Sequence, residues 1–174
     1  MADLILHHYP MSPFAEKVRL MLGYKQLPWR SVITPNMMPK PDLTPLTGGY
    51  RRIPVLQIGA DVYCDTALCA RVIEALQPAP TLYPASAPLA PAAAAWADAN
   101  LFWQAIGVTQ EPAARAHLFA GMAPEAIQAV GADRAAFTAG VRRPRPRLPR
   151  NGWFHVAGAL PPPPAARACS SAMP

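Results

Sequence analysis

The positions of the prolines restrict the fold of this chain more than any other feature of its sequence. Proline accounts for 23 of the 174 residues, more than twice its usual share of about 5%. Eight of the 23 lie in residues 141–174, and a second cluster lies in residues 78–91. Because proline lacks a backbone donor and disfavours helix at the residue before it, residues 78–91 are typical of a linker and the Arg/Pro segment 142–150 cannot be a helix.

These clusters divide the chain into four expected parts. Residues 1–80 have mixed composition and form a first domain, and residues 81–91 form a linker. Residues 92–140 are rich in alanine, and their larger apolar residues recur every three or four positions, which favours amphipathic helices. We therefore expect a partial helical domain there, followed by a disordered tail over residues 141–174.

The net charge of +6 arises entirely from this tail. Residues 1–140 carry 10 basic and 10 acidic side chains, whereas residues 141–174 carry six arginines and no acid. A basic arm can bind nucleic acid, but residues 1–140 offer no matching basic patch, so we expect no nucleic-acid partner. Arginine, proline, alanine and glycine all have GC-rich codons, and we hypothesise that the tail is a frame-shifted product.

Composition also bears on the compartment. Apolar residues make up 52% of the chain, yet no apolar run approaches the roughly 20 residues that span a bilayer. The segment Met1–Leu4 includes an acid where a signal peptide has basic residues. Three cysteines are too few for a disulfide scaffold and indicate a reducing compartment. We therefore expect a cytoplasmic protein with no membrane partner.

Apolar patterning in the first domain predicts strands and helices in the order β-α-β-α-β-β-α. Pro13 begins the first of these helices, in the first turn, where proline is tolerated. The expected elements are strand 4–8, helix 13–25, strand 29–33, a short helix after Pro39, strands 54–58 and 62–64, and helix 66–77.

Three local motifs accompany this order of elements. Tyr9–Arg19 reads Tyr-Pro-Met-Ser-Pro-Phe-Ala-Glu-Lys-Val-Arg, Arg52–Leu56 reads Arg-Ile-Pro-Val-Leu, and Asp65–Ala67 reads Asp-Thr-Ala. In this order and spacing they resemble the N-terminal domain of glutathione S-transferases, which has an α/β thioredoxin-like fold. The resemblance covers residues 3–84. It implies that residues 92–140 begin the family's all-α second domain, in truncated form.

The resemblance implies that the chain binds glutathione as a co-substrate and makes its thiol a better nucleophile. Because the thiolate is the reactive form, a hydroxyl that donates a hydrogen bond to sulfur lowers the thiol pKa and assists attack. Ser12 is the expected catalytic residue, since amides at a helix N-terminus also favour an anion. Ser12 can equally be only the N-cap of its helix, and Tyr9 is a rival hydroxyl.

The resemblance also assigns the residues that bind glutathione, which are Phe14, Arg52, Ile53, Pro54, Asp65 and Thr66. A cis bond between Ile53 and Pro54 would leave the Ile53 backbone free to pair with the cysteinyl part of glutathione. The alternative is a proline that simply begins an edge strand. Asp65 would bind the glutamyl ammonium group, and Thr66 with its helix N-terminus the glutamyl carboxylate. Both residues can also be a plain N-cap pair.

Basic residues before the third strand are candidates for the glycine carboxylate of glutathione. Arg52 stands where many transferases have lysine or glutamine, directly before the Ile-Pro pair. Lys40 and Arg51 could reach the same group. Solvated surface charge is the alternative for all three residues.

Two other chemistries are excluded by the residues present. Ser12 and Ala15 stand where glutaredoxin-like proteins have two cysteines, so this turn cannot carry out dithiol–disulfide exchange. His7 and His8 are adjacent on a strand and face opposite sides, so we expect no metal site there.

These inferences predict a glutathione transferase that acts on a small electrophile in detoxification and that can form a homodimer. In this family the helical domain supplies the electrophile pocket and much of the dimer interface. The alternative is a non-catalytic glutathione-binding or interaction protein, because the helical domain over residues 92–140 is incomplete.

Overall fold

A computed structural model of the chain describes the backbone of residues 3–109 and 111–141, with side chains described as far as residue 136. The predicted tail lies outside these residues, apart from the backbone of residue 141. In chain order the elements are β1 Leu4–His8, α1 Pro13–Tyr24, β2 Arg30–Ile33, α2 Thr44–Thr47, β3 Val55–Ile58, β4 Asp61–Cys64, α3 Thr66–Leu76, α4 Ala90–Trp96, a π-helical segment Ala97–Leu101, α5 Phe102–Val108, α6 Pro112–Leu118 and α7 Pro124–Val141.

Four strands form one mixed sheet in the order β2-β1-β3-β4. β1 pairs with β2 in parallel, whereas β3 pairs antiparallel with both β1 and β4. A parallel pair needs a crossover, which α1 provides, while a two-residue turn connects β3 to β4. Gly59 in that turn has a φ of 60°, which glycine adopts at little cost. The predicted order of elements and the thioredoxin-like α/β fold are confirmed.

The hydrophobic core lies between the sheet and the helices α1 and α3. Val18 and Leu22 are four residues apart on α1, and Cys69 and Ile73 are four apart on α3, so each pair lies on one face of its helix. Burying a large aliphatic side chain stabilises a fold by about 1.5–3 kcal/mol. The buried members of the core cluster are Leu4, Leu6, Val18, Leu22, Leu56, Cys69 and Ile73.

Prolines account for two of the differences between predicted and observed boundaries. β3 begins at Val55 rather than at Pro54, because proline has no N–H to donate to the ladder. The short helix expected after Pro39 begins only at Thr44, since Pro41 disfavours helix at the residue before it. Pro45 is tolerated inside α2 because it lies in the first turn.

The helical region, residues 90–109 and 111–141, confirms the prediction of helices after residue 92. α4, the π-helical segment and α5 follow one another without a break. α4 begins at Ala90, within the stretch predicted as a linker, with Pro91 in its first turn. None of the helices in the described part of the chain has both the length and the hydropathy of a membrane span.

Candidate functional site

A cleft of about 240 Å³ lies where the N-termini of α1 and α3, the segment before β3 and the π-helical segment meet. All six residues predicted to bind glutathione form part of its wall, namely Phe14, Arg52, Ile53, Pro54, Asp65 and Thr66. The wall also includes four residues that the motifs do not predict, which are Tyr50, Ala95, Asp98 and Ala99. The fold thus brings the three motifs, which are distant in sequence, to one place.

Ser12 lies at the N-terminus of α1 and is only 3% exposed. Its Oγ accepts a hydrogen bond from the Ala15 backbone N–H at 3.2 Å, so Ser12 is the N-cap of α1. Within the described residues it is not part of the cleft wall. A hydroxyl that accepts one hydrogen bond still has its own proton to donate, so capping is compatible with a second role. Tyr9 is half-buried, and its carbonyl accepts a hydrogen bond from the Ser12 N–H at 3.2 Å.

Arg19, the last residue of the first motif, holds the loop that precedes α1. Its guanidinium donates to the Pro10 carbonyl at 2.9 Å and to Nδ1 of His8 at 2.9 Å, and it also pairs with Glu16. Because arginine is always a donor, Nδ1 of His8 accepts, and Nε2 therefore donates to the Ser31 hydroxyl at 2.8 Å. Burial and then Arg19 lower the pKa of His8, so the ring is neutral at neutral pH. These contacts orient the loop that carries Tyr9 and Ser12.

The β3 entry segment, residues 50–54, forms one edge of the cleft. The peptide bond between Ile53 and Pro54 is cis, as predicted. Arg52 is exposed, and its side chain forms part of the cleft wall. Tyr50 also lines the cleft, and burial raises the pKa of its hydroxyl, which is therefore protonated at neutral pH.

The structure does not bring Lys40 and Arg51 into the cleft wall, although sequence position suggested that they could reach the ligand. Lys40 is 4% exposed, and its Nζ donates to the Arg51 carbonyl at 2.9 Å. Arg51 pairs with Asp133 of α7 at 2.6 Å. Of the three basic residues considered for the glycine carboxylate, Arg52 alone lines the described cleft.

Asp65 and Thr66 begin α3 on the opposite side of the cleft. The Asp65 carboxylate accepts a hydrogen bond from the Ala67 N–H at 2.7 Å, so Asp65 is the N-cap of α3. Its φ of 81° is unusual for a residue other than glycine, and such conformations cluster at functional sites. Thr66 is 6% exposed, and its Oγ1 accepts a hydrogen bond from Lys17 Nζ at 3.1 Å.

The helical region supplies the remaining wall of the cleft. Asp98 lies in the π-helical segment, a type of helix that is rare and often occurs at functional sites. Its carboxylate pairs at 2.5 Å with Lys17 Nζ, which also donates to Thr66. The ring of Phe14 lies 4.5 Å from that of Phe102, measured between centroids, so an aromatic pair joins the N-terminus of α1 to α5.

Sequence reasoning did not find Tyr50, Asp98 or the role of Lys17. Tyr50 lies two residues before Arg52, so its closeness to the second motif was a usable signal. Asp98 lies 81 residues from Lys17, and no motif connects them. Only the packing of the helical region against the first domain places this acid in the cleft.

The cleft wall combines groups of both charges with an apolar side. Its lining residues include the basic Arg52, the acidic Asp65 and Asp98, and the hydroxyl-bearing Tyr50 and Thr66. Backbone amides at the N-terminus of a helix such as α3 favour an anion. Such a wall suits a small ligand that carries carboxylates and an ammonium group.

The two histidines of β1 are engaged in separate contacts. Nε2 of His7 is 2.8 Å from the Gln57 side-chain oxygen, whereas His8 contacts Ser31 and Arg19. Among the described residues, no group of three or more histidine, cysteine, aspartate or glutamate side chains could hold a metal ion.

Comparisons with known proteins agree with this fold. The family model for the glutathione S-transferase N-terminal domain matches residues 6–81. The chain is similar to the solved structure of a GST-like protein from Pseudomonas syringae, with 60% identity and a TM-score of 0.58. That match covers 63% of this chain and 41% of the Pseudomonas protein, so this chain corresponds to about two fifths of its length.

Two further solved structures match a larger part of the chain. A glutathione S-transferase from Rhodospirillum rubrum F11 has 25% identity and a TM-score of 0.55, and the match covers 80% of this chain and 64% of that protein. A Tau class glutathione S-transferase from mango, Mangifera indica, has 18% identity and a TM-score of 0.55 over 80% of this chain and 60% of that one. The mango protein supports the fold alone. A comparison with curated proteins finds no match.

Proposed function

Because this chain belongs to the glutathione S-transferase family through its N-terminal domain, we propose that its cleft binds glutathione and activates the thiol for attack on a small electrophile. The observation that carries this proposal is the convergence of the predicted binding residues. Six residues from three separate motifs line one cleft, namely Phe14, Arg52, Ile53, Pro54, Asp65 and Thr66.

Each part of glutathione has a chemically suitable partner in this arrangement. The glutamyl ammonium group pairs with Asp65, whose carboxylate can accept more hydrogen bonds than the one from Ala67. The glutamyl carboxylate binds the Thr66 hydroxyl and the N-terminal amides of α3. The cysteinyl backbone pairs with that of Ile53, in the manner of an added strand. The glycine carboxylate binds Arg52, and Phe14 provides an apolar side.

Ser12 is the proposed thiol-activating residue. The Ser12 hydroxyl lies at the N-terminus of α1 and retains a proton to donate while it caps that helix. A hydrogen bond from this hydroxyl, together with the α1 N-terminus, stabilises the thiolate and lowers the thiol pKa. The rival hydroxyls are those of Tyr9 and Tyr50, and the latter lines the cleft.

The decisive experiment measures binding and turnover separately on the full chain. Calorimetry gives glutathione affinity for the wild type and for Asp65→Asn, which removes the acid proposed for the ammonium group. We expect binding to be weaker by about tenfold or more for the variant, since a charge-assisted hydrogen bond is worth about 1.5–3 kcal/mol. Wild-type protein that does not bind glutathione would disprove the proposal.

The activating hydroxyl is identified by conjugation of a generic aryl halide. Ser12→Ala should lose most of the turnover while it keeps glutathione affinity, and the absorbance of bound thiolate should titrate at higher pH. Tyr9→Phe and Tyr50→Phe are the matched controls, because each removes one hydroxyl and keeps the ring. Loss of turnover in one of these variants and not in Ser12→Ala would assign the role to that tyrosine.

The second candidate function is that of a non-catalytic glutathione-binding or interaction protein. It is favoured by the exposure of the helical region, where Trp96 and Trp103 are 56% and 55% exposed. Glutathione binding without Ser12-dependent turnover would support it. A cytoplasmic location, a role in detoxification and a homodimer belong to the transferase proposal, and sedimentation of the full chain tests the dimer.

A further inference from the structure

The β3 entry segment contacts the helical region through Asp133 of α7. One guanidinium nitrogen of Arg51 lies 2.8 Å from Oδ1 and 2.6 Å from Oδ2 of Asp133. The side chains of Arg51 and Asp133 are 28% and 17% exposed, so the pair is largely withdrawn from water. Electrostatic attraction is stronger in such a place than between fully exposed groups.

Two buried donors of the first domain also hold this segment. The Thr47 hydroxyl donates to the Tyr50 carbonyl at 2.8 Å, and Lys40 Nζ donates to the Arg51 carbonyl at 2.9 Å. Thr47 and Lys40 are 0% and 4% exposed. These bonds hold the backbone carbonyls of Tyr50 and Arg51. The helical region contacts the same segment through the Arg51 side chain.

Charge balance adds to the restraint. Burial and then the nearby Arg51 lower the pKa of Lys40 to about 8, whereas Asp133 raises it. Asp133 is therefore close enough to both cations to offset their mutual repulsion. Asp133 Oδ1 also lies 3.4 Å from the Met38 backbone N–H. Removal of the Asp133 charge would leave Lys40 and Arg51 facing each other and would favour a shift of the segment.

We propose that Asp133 is a positioning residue for the glycine end of the bound peptide. Through Arg51 it orients the next residue, Arg52, which lines the cleft. Asp133 itself lies outside the cleft wall, among the described residues. The inference rests on the proposed function, because it places glutathione in the cleft with its glycine carboxylate at Arg52.

The test compares two ligands that differ only at that end. γ-Glutamylcysteine lacks the glycine of glutathione. It therefore has no glycine carboxylate that could bind Arg52. In calorimetry on the full chain, Asp133→Asn should bind glutathione about tenfold more weakly, which corresponds to about 1.4 kcal/mol. Its affinity for γ-glutamylcysteine should change by less than about twofold. A purely structural role would weaken both ligands alike.

Two variants of α7 serve as controls. Asp133→Glu keeps the carboxylate and should restore the preference for glutathione. Glu125→Gln removes an acid from the exposed first turn of α7 and should leave both affinities as in the wild type. Circular dichroism checks the fold of each variant. If Asp133→Asn does not fold, Arg51→Gln replaces it, because this variant breaks the same ion pair. It should likewise weaken the binding of glutathione and not that of γ-glutamylcysteine.

The outcomes separate this inference from the function on which it rests. Equal weakening of both ligands, or no change for either, would overturn the positioning role while the wild type still binds glutathione. A wild type that binds neither ligand would overturn the proposed function and this inference with it. Selective loss of glutathione affinity supports both.

Discussion

The first domain and the helical region differ in how they are held together. Of the twelve apolar residues that are buried among those described, eleven lie between Leu4 and Ile73, and one, Val130, lies in the helical region. Helices α4, α5 and α6 contain no buried residue. The first domain therefore has a core of its own, whereas the described helices of the helical region bury few apolar side chains.

Contacts between the two regions are concentrated around the cleft. They include the ring pair of Phe14 and Phe102 and the ion pair of Lys17 and Asp98. Each has one member on α1 and the other on the run from the π-helical segment to α5. The comparison indicates that the first domain determines the fold, while the helical region mainly completes the cleft. Substitutions in the two regions should therefore have different effects.

The largest expected effect is in the core of the first domain. Leu56 on β3 is 0% exposed, and Leu56→Ala should reduce the free energy of unfolding by about 3 kcal/mol, through lost burial and the cavity that remains. The matched control is Leu101→Ala in the helical region. Leu101 is 49% exposed, so that change should stay within about 0.5 kcal/mol. Urea titration followed by circular dichroism measures both, and similar losses would contradict the comparison.

The difference between the first domain and the helical region also explains which parts of the fold the sequence could predict. Pro13 at the start of a helix and the short apolar run Leu4–Leu6 are local patterns, so α1 and β1 were predicted closely. The start of α2 depended on Pro41 and Pro45, whose opposing influences local patterns weigh poorly. How the helices of the helical region pack on the first domain was not predictable, because those helices carry no motif that identifies their partner.

The second expected effect concerns an ion pair inside the first domain. Lys25 at the end of α1 is 0% exposed and lies 2.5 Å from Glu74 of α3, whose side chain is 21% exposed. Burial raises the pKa of Glu74, but hydrogen bonds from Lys25, Thr81 and the Leu82 N–H together lower it below its ordinary value of 4.5. The carboxylate is therefore stabilised in the folded state.

A lowered folded-state pKa gives a defined pH dependence. The stability that Glu74 contributes is fully present above pH 4.5, its ordinary pKa, and is lost as the pH falls through the folded-state value. Glu74→Gln should cost about 2 kcal/mol at neutral pH, because Lys25 loses a charge-assisted hydrogen bond. Urea midpoints at neutral and acid pH test this prediction. The gap between wild type and variant should narrow in acid, and a constant gap would contradict it.

The third prediction addresses the aromatic contact between the regions. Phe102→Ala removes the ring that packs against Phe14, a contact worth about 1 kcal/mol. Local opening of the helical region should then become about fivefold more frequent. Limited proteolysis with mass spectrometry should show faster cleavage within residues 90–109 while the first domain stays intact. Trp96→Ala is the control, since Trp96 is 56% exposed, and equal cleavage rates for the two variants would refute the prediction.

In the candidate site, as in the fold, the residues of local motifs could be predicted and the contacts between the two regions could not. Asp65 and Pro54 belong to local sequence motifs, so the sequence could predict that they lie at one site, and both line the cleft. Ser12 stayed ambiguous because the atom that caps α1 is also the one that would donate to sulfur. Asp98 was missed because its partner Lys17 lies on another helix and in another region. A single sequence carries no signal for such a pair.

The smallest expected effect is that of the Lys17–Asp98 ion pair itself. Its side chains are 29% and 34% exposed, against 70% and 61% for Arg30 and Asp3, an ion pair within the first domain. A double-mutant cycle with Lys17→Met and Asp98→Asn should give a coupling of about 0.5 kcal/mol that decreases with added salt. The corresponding cycle for Arg30 and Asp3 should give almost none, because both groups remain solvated. If the two couplings are equal, Lys17 does not hold the regions together, and Asp98 reaches the cleft through backbone packing alone.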